Sequence, residues 1–164
     1  MQTNTSEYFY ELETIESYSN GLLDLINSTK FWFQKNNLHI IKVENIFFND
    51  SILSTLIERF NGTPLIFKLP PNIWYDWHTD ENRLCAINML ILGNRSHCFF
   101  GERENRDIVK TRELTYNSNR YYLLNTQKKH AVLNFEEPRY VLSVGFAGTH
   151  DYFTVLQFCK DNKL

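Results

Sequence analysis

The stretch PLIFKLPPNIWYDWHTDENRLCAINMLIL, Pro64 to Leu92, holds three apolar runs separated by Pro70-Pro71-Asn72 and by the polar Thr79 to Asn82. The runs are short, rich in aliphatic and aromatic residues and bounded by turn-forming residues, so each reads as a strand. The pattern continues through HCFF, DIVKTREL, RYYLL, HAVLN and RYVLSVGF, giving eight strand candidates after Gly62. No helical segment separates them, whereas parallel pairing needs crossover connections of about a dozen residues or more. An antiparallel sandwich or barrel is therefore expected, and a jelly roll, also called a double-stranded β-helix, is the first choice.

Upstream of Gly62 the signals are mainly helical. Residues 1 to 16 are polar and acidic and are read as a lead-in that adds an edge strand at YFYEL. From Ser17 the spacing of Leu22, Leu23, Leu25 and Ile26 predicts a short amphipathic helix, and LHIIKVENIFF alternates loosely enough for a strand. In NDSILSTLIERFNG, Asp50 or Ser51 is the N-cap, Ile52, Leu53, Leu56 and Ile57 form an apolar stripe, and Asn61-Gly62 is the stop. The tail THDYFTVLQFCKDNKL leans towards helix through Tyr152, Val155, Leu156 and Cys159. The expected organisation is a lead-in and helical support over 1–62, with one to three N-terminal helices packed on a β core over 63–164, all in one compact domain.

Composition narrows the function classes. Apolar residues make up 43% and charged residues 22%, which suits a globular chain rather than a disordered one. A formal charge of −2, with Lys and Arg scattered singly, lacks the basic stripe of an obligatory nucleic-acid binder. Cys85, Cys98 and Cys159 have no C-x-x-C spacing and are odd in number, so reduced thiols and a cytoplasmic setting are expected. No secretory leader or membrane span is expected either.

The chemistry starts at His78. On an extended chain His78 and Asp80, two residues apart, project to the same side and can reach one ion. His130 comes fifty positions after Asp80 and opens the seventh strand candidate, so all three meet if the second and seventh strands are neighbours. Two imidazoles and a carboxylate on one face of an octahedron leave three positions open, which suits Fe(II) with a chelating co-substrate and oxygen. Arg139 opens the eighth strand candidate, and a guanidinium inside a barrel needs an anion such as a dicarboxylate. Asn88, the single polar residue in LCAINMLIL, needs hydrogen-bond partners if buried.

WHTD, NTQKKHAVLN and EPRYVLSVGF together resemble the Fe(II)- and 2-oxoglutarate-dependent oxygenases, with features of the aspartyl/asparaginyl β-hydroxylase-like and prolyl-hydroxylase-like branches. The resemblance covers Pro64 to Phe146. It implies a double-stranded β-helix in which His78, Asp80 and His130 hold iron and Arg139 pairs with the distal carboxylate of 2-oxoglutarate. It further implies that Ser143 assists that arginine and that O2 is the oxidant; the buried amide of Asn88 is expected to find its partners in the co-substrate or Asp80. A hydroxylase of a protein side chain or small metabolite follows, with Trp74, Trp77, Arg83 and Tyr122 as substrate-contact candidates and no catalytic residue beyond the metal ligands. Two other classes stay open at this level. One is a cupin-type metalloenzyme not using 2-oxoglutarate, in which His97 is a possible ligand, and the other is a non-catalytic jelly-roll binding module. Arg139 also has an ordinary alternative, as a surface partner of Glu136 or Glu137.

Overall fold

The computed structural model describes residues 7–14, 19–35, 37–44, 50–105, 107–148 and 150–164, which form eleven strands and three helices. The elements are β1 (Phe9–Thr14), α1 (Ser19–Ser28), β2 (Phe33–Lys35), β3 (Leu38–Lys42), α2 (Ser51–Phe60), β4 (Gly62–Leu69) and β5 (Ile73–His78). They continue as β6 (Arg83–Leu92), β7 (Ser96–Glu104), β8 (Asp107–Leu114), β9 (Arg120–Leu124), β10 (Lys129–Asn134), β11 (Arg139–Ala147) and α3 (Tyr152–Asp161). The eight strand candidates correspond to β4 through β11, and the YFYEL segment lies in β1. Of LHIIKVENIFF only Leu38–Lys42 is strand, while 45–49, like 1–6 and 15–18, lie outside the described residues. Two helices precede the barrel strands, and the third, α3, follows them.

Every pairing is antiparallel, in a seven-stranded sheet ordered β1-β9-β6-β11-β4-β3-β2 and a four-stranded sheet ordered β5-β10-β7-β8. The central strands of the larger sheet, β9, β6, β11 and β4, are covered on both faces. Ile66, Ile87, Met89, Tyr121, Leu123, Leu142, Val144 and Phe146 pack with Leu22, Leu53, Leu56, Tyr152 and Val155 of the helices. The alternate positions Leu69, Tyr122 and Leu124 meet Cys98, Phe100, Leu114 and Val132 of the smaller sheet. The period of two thus puts Arg139, Val141 and Ser143 of β11, and Asn88 of β6, on the face turned to the barrel interior.

The register of β5 against β10 is irregular at a decisive point. His130 pairs with His78 and Val132 with Tyr75, so three residue steps on β5 span two on β10. Strict alternation along WYDWH groups His78 with Trp74 and Asp76; the extra residue of this bulge overturns that grouping and turns both Tyr75 and His78 inward. Trp74 stays outside and donates from Nε1 to Asp76 Oδ1 at 2.9 Å.

Helix α2 is held at its start by Asp50, whose Oδ1 accepts from the backbone N–H groups of Ile52 (2.7 Å) and Leu53 (3.1 Å). The buried Asp50 also takes the Tyr121 hydroxyl on Oδ2 at 3.1 Å, tying the helix to β9. Gly93 closes the β6–β7 turn at a φ of +92°, and a Cβ there would come within 2.7 Å of the Arg139 Cα. Glycine at this turn lets the loop lie directly against the start of β11.

Asp50→Ala is expected to lower stability by about 1–2 kcal/mol, from the lost cap and the lost hydrogen bond from the Tyr121 hydroxyl. Urea unfolding checks this as a lower midpoint at unchanged m-value.

Candidate metal centre

His78, Asp80 and His130 converge, with one potential ligand atom from each lying within 4.8 Å of the others. His78 ends β5, His130 lies directly opposite it on β10, and their rings are 4.1 Å apart between centroids. Asp80 Oδ1 sits 3.8 Å from His78 Nε2 and 3.8 Å from His130 Nε2. Two atoms bound at about 2.1 Å to one ion are at most about 4.2 Å apart, so both separations fall within one ion's span.

The two imidazoles are oriented from behind. His78 Nδ1 lies 2.7 Å from the Asp76 carbonyl oxygen, and His130 Nδ1 lies 3.0 Å from that of Lys128. A carbonyl can only accept, so each Nδ1 carries the proton and each Nε2 presents a lone pair towards Asp80, the arrangement of metal-binding histidines. Burial, followed by the proximity of His78, pushes His130 down to about 4, keeping it unprotonated and able to ligate at neutral pH. Phe100 backs this imidazole at 5.8 Å.

Asp80 lies beyond the strand end and is positioned by the loops. Its N–H donates to the Thr126 carbonyl at 3.0 Å, and its carbonyl accepts from Gln127 Nε2 at 3.0 Å. Thr126 Oγ1 donates to the Arg83 carbonyl at 2.8 Å, and Asn125 N–H donates to the Tyr8 carbonyl at 2.8 Å. The β5–β6 and β9–β10 loops are therefore stitched together beside the three side chains. Asn125, Thr126 and Gln127 were not singled out in the sequence, where a polar turn between strands looks the same whether or not it braces a site.

Arg139 lies on the interior face of β11 and is only 8% exposed. Its guanidinium is 5.3 Å from the Tyr116 ring centre, and its buried Nε has no hydrogen-bond partner. Glu136, the alternative surface partner, pairs with Arg95 instead, at 2.7 Å. The interior groups beside Arg139 are neutral, since burial pushes the Tyr116 phenol up to about 12 and the Cys98 thiol up to about 11. No carboxylate among the described residues forms an ion pair with Arg139. Tyr116 is a further residue that strand periodicity did not single out, because it stands in the β8–β9 connection.

Of the remaining sequence candidates, Asn88, Ser143 and Arg83 adjoin these groups and the others lie elsewhere. Asn88 Nδ2 approaches the Tyr116 hydroxyl at 3.5 Å, while its buried Oδ1 is unpartnered. Ser143 is fully buried, and its hydroxyl accepts from Arg83 Nη1 at 2.8 Å. Arg83 Nε also donates to Asp80 Oδ2, at 2.5 Å. Trp74 is 45% exposed, and Trp77 lies against Gly101, where a Cβ would come within 2.9 Å of its ring. Tyr122 is buried and bonded to Glu11 and the Asn117 N–H. His97 pairs with Glu113 at 2.5 Å and stacks on Phe99, outside the three-residue cluster.

Comparison with solved structures identifies the architecture. A prolyl hydroxylase from Trichoplax adhaerens, in complex with a hypoxia inducible factor oxygen degradation domain peptide fragment, aligns over 89% of this chain and 86% of its own, with TM-score 0.66 and 17% identity. HygX from Streptomyces hygroscopicus, with nickel, 2-oxoglutarate and hygromycin B bound, aligns over 86% and 83%, with TM-score 0.62 and 8% identity. A viral collagen prolyl hydroxylase from Paramecium Bursaria Chlorella virus-1, in complex with 2OG, aligns over 87% and 97%, with TM-score 0.61 and 8% identity. The chain has the jelly-roll fold of these enzymes. No protein-family model matches the sequence, and no curated protein does either. At such low identities the likeness speaks for the fold. Among the described residues no helix is long and apolar enough to cross a membrane.

Because His130 is held well below its unfolded value of 6.5, the unfolded chain binds the extra proton as pH falls from 6.5 towards 4. This contribution to the stability of the metal-free protein is present above 6.5 and is lost across that window. His130→Gln should therefore flatten part of the acid-side decline in the urea midpoint, measured from pH 7 to 4.5 in the presence of a chelator.

Proposed function

We propose that the protein is an Fe(II)- and 2-oxoglutarate-dependent oxygenase that hydroxylates a protein side chain or a small metabolite. The observation that carries this reading is a buried Arg139, with an unpartnered Nε and no ion pair to a carboxylate among the described residues, in the same barrel interior as the His78–Asp80–His130 cluster. A guanidinium left without a counter-anion in a protein interior costs on the order of 3–5 kcal/mol, so the site is built for an anion that arrives with the ligand. A metal site not using 2-oxoglutarate has no need of such a group.

The residues fit the implied groups. His78, Asp80 and His130 would hold iron through Nε2, Oδ1 and Nε2, leaving positions for other ligands. Arg139 would receive the distal carboxylate of 2-oxoglutarate, with Asn88 and Tyr116 beside it as neutral hydrogen-bonding groups. Iron bound with 2-oxoglutarate and O2 supplies oxidative decarboxylation to succinate, coupled to hydroxylation of a substrate C–H bond.

The chain's own contributions are steric and electrostatic. The backbone carbonyls of Asp76 and Lys128 keep both histidines in the ligating tautomer. Phe100, whose ring lies 5.8 Å from that of His130, shields one side of this imidazole from water, and the neutral Cys98 and Tyr116 leave the charge of Arg139 to the co-substrate. For substrate class, the prolyl hydroxylase with its peptide and HygX with hygromycin B lend support to both a peptide and a small molecule.

The test is anaerobic titration with Fe(II) and 2-oxoglutarate, followed by succinate measurement in air. A weak visible charge-transfer band and substrate-independent succinate formation are expected, with both abolished by His78→Ala. Arg139→Ala should leave metal binding intact and weaken 2-oxoglutarate binding about 30-fold or more, equivalent to about 2 kcal/mol. A folded protein that takes up Fe(II) but neither binds nor consumes 2-oxoglutarate overturns the reading.

A further inference from the structure

Arg83 occupies a place that neither metal ligation nor the Arg139 anion site explains. It opens β6 three residues after Asp80, and its guanidinium turns back towards the metal cluster. Nε donates to Asp80 Oδ2 at 2.5 Å, and Nη1 donates to Ser143 Oγ at 2.8 Å. The guanidinium carbon stands 5.4 Å from the centre of the Phe67 ring. Its stem passes over Gly145, where a Cβ would come within 3.2 Å of the Arg83 Cδ. Three elements therefore define one conformation of this side chain: the loop after β5 through Asp80, β4 through Phe67, and β11 through both Ser143 and Gly145.

The two oxygens of Asp80 have separate partners. Oδ1 faces both histidine Nε2 atoms at 3.8 Å, whereas Oδ2 is held by Arg83. A free carboxylate can rotate and chelate an ion through both oxygens, and this would occupy one of the positions a bidentate co-substrate needs. A carboxylate whose second oxygen is engaged by a fixed guanidinium presents only one.

We infer that Arg83 is a positioning residue for the metal centre, holding Asp80 as a one-oxygen ligand and itself held by Ser143. The inference rests on the three-residue metal site proposed above and adds to it a dedicated anchor from β11. Ser143 then acts on the metal through Arg83. Two considerations oppose each other in magnitude. The guanidinium cation repels a divalent ion, but it is about a quarter exposed and its charge is matched by Asp80, so solvent and the carboxylate screen the repulsion. Loss of a hydrogen bond that orients a ligand typically weakens metal binding about 10- to 100-fold, so orientation is expected to dominate.

Co(II) titration of the metal-free protein in the absence of 2-oxoglutarate, read from the visible d–d absorption, tests this without reference to activity. Arg83→Ala should bind Co(II) about 10- to 100-fold more weakly than the parent and with an altered band shape. Ser143→Ala, which keeps the Arg83–Asp80 contact but frees the guanidinium, should lose a few-fold, and Arg83→Lys should recover part of the Arg83→Ala loss. Thermal unfolding of the metal-free variants separates misfolding from a site effect, and Ser143→Ala carries the test if Arg83→Ala does not fold. Unchanged affinity and spectrum in folded Arg83→Ala, or tighter binding, overturns the inference while leaving the metal site standing. If the parent takes up no Co(II), or His78→Ala binds as the parent does, the metal reading itself fails.

Discussion

The direct pairing of His78 with His130 across β5 and β10 is the constraint on which the rest of the site depends. Cross-strand partners place their side chains about 5 Å apart on a common face, so the meeting of the two imidazoles is set by register alone. A slip of one residue would send one imidazole to the outer face and abolish the cluster. The bulge on β5 is part of the same requirement, because without the extra residue Tyr75 and His78 could not both point inward while Trp74 and Asp76 stay outside. Asp80, past the strand end, cannot be held by the ladder. It depends on the loop containing Thr126 and Gln127 and on Arg83.

The interior of the barrel carries polarity that the apolar packing around it does not compensate. Arg139 Nε and Asn88 Oδ1 are buried without partners, in a molecule whose two hydrophobic clusters are otherwise well filled. Such groups lower the stability of the empty protein, and their retention makes sense where a ligand supplies the missing partners. The helices stand on the opposite side of the larger sheet, where Asp50, Tyr121 and the α2 core residues close the structure.

Much of this was legible in the chain. The eight β runs after Gly62 and the Asp50-capped helix carry local signals: alternation, turn residues and a cap followed by an apolar stripe. His78, Asp80 and His130 were readable because their spacing and order survive in one dimension. Arg83 was singled out only as a substrate-contact candidate, and its bond to Ser143 joins positions sixty residues apart. Tyr116 and the Asn125–Gln127 turn were not singled out, since nothing local separates a bracing loop from a solvated one.

The sequence by itself determined the antiparallel β architecture, the helix limits around α2 and the types of residue able to bind a metal. These follow from side-chain period, turn chemistry and the donor set, each a property of neighbouring positions. Only the tertiary structure decided which face each residue took, because one bulge reverses the parity of alternation in β5. It also decided that Arg139 is buried with no ion pair to a carboxylate among the described residues, and that Ser143 is bonded to Arg83. Those outcomes depend on distances between segments far apart in the chain, which packing of the whole barrel sets and no local pattern encodes.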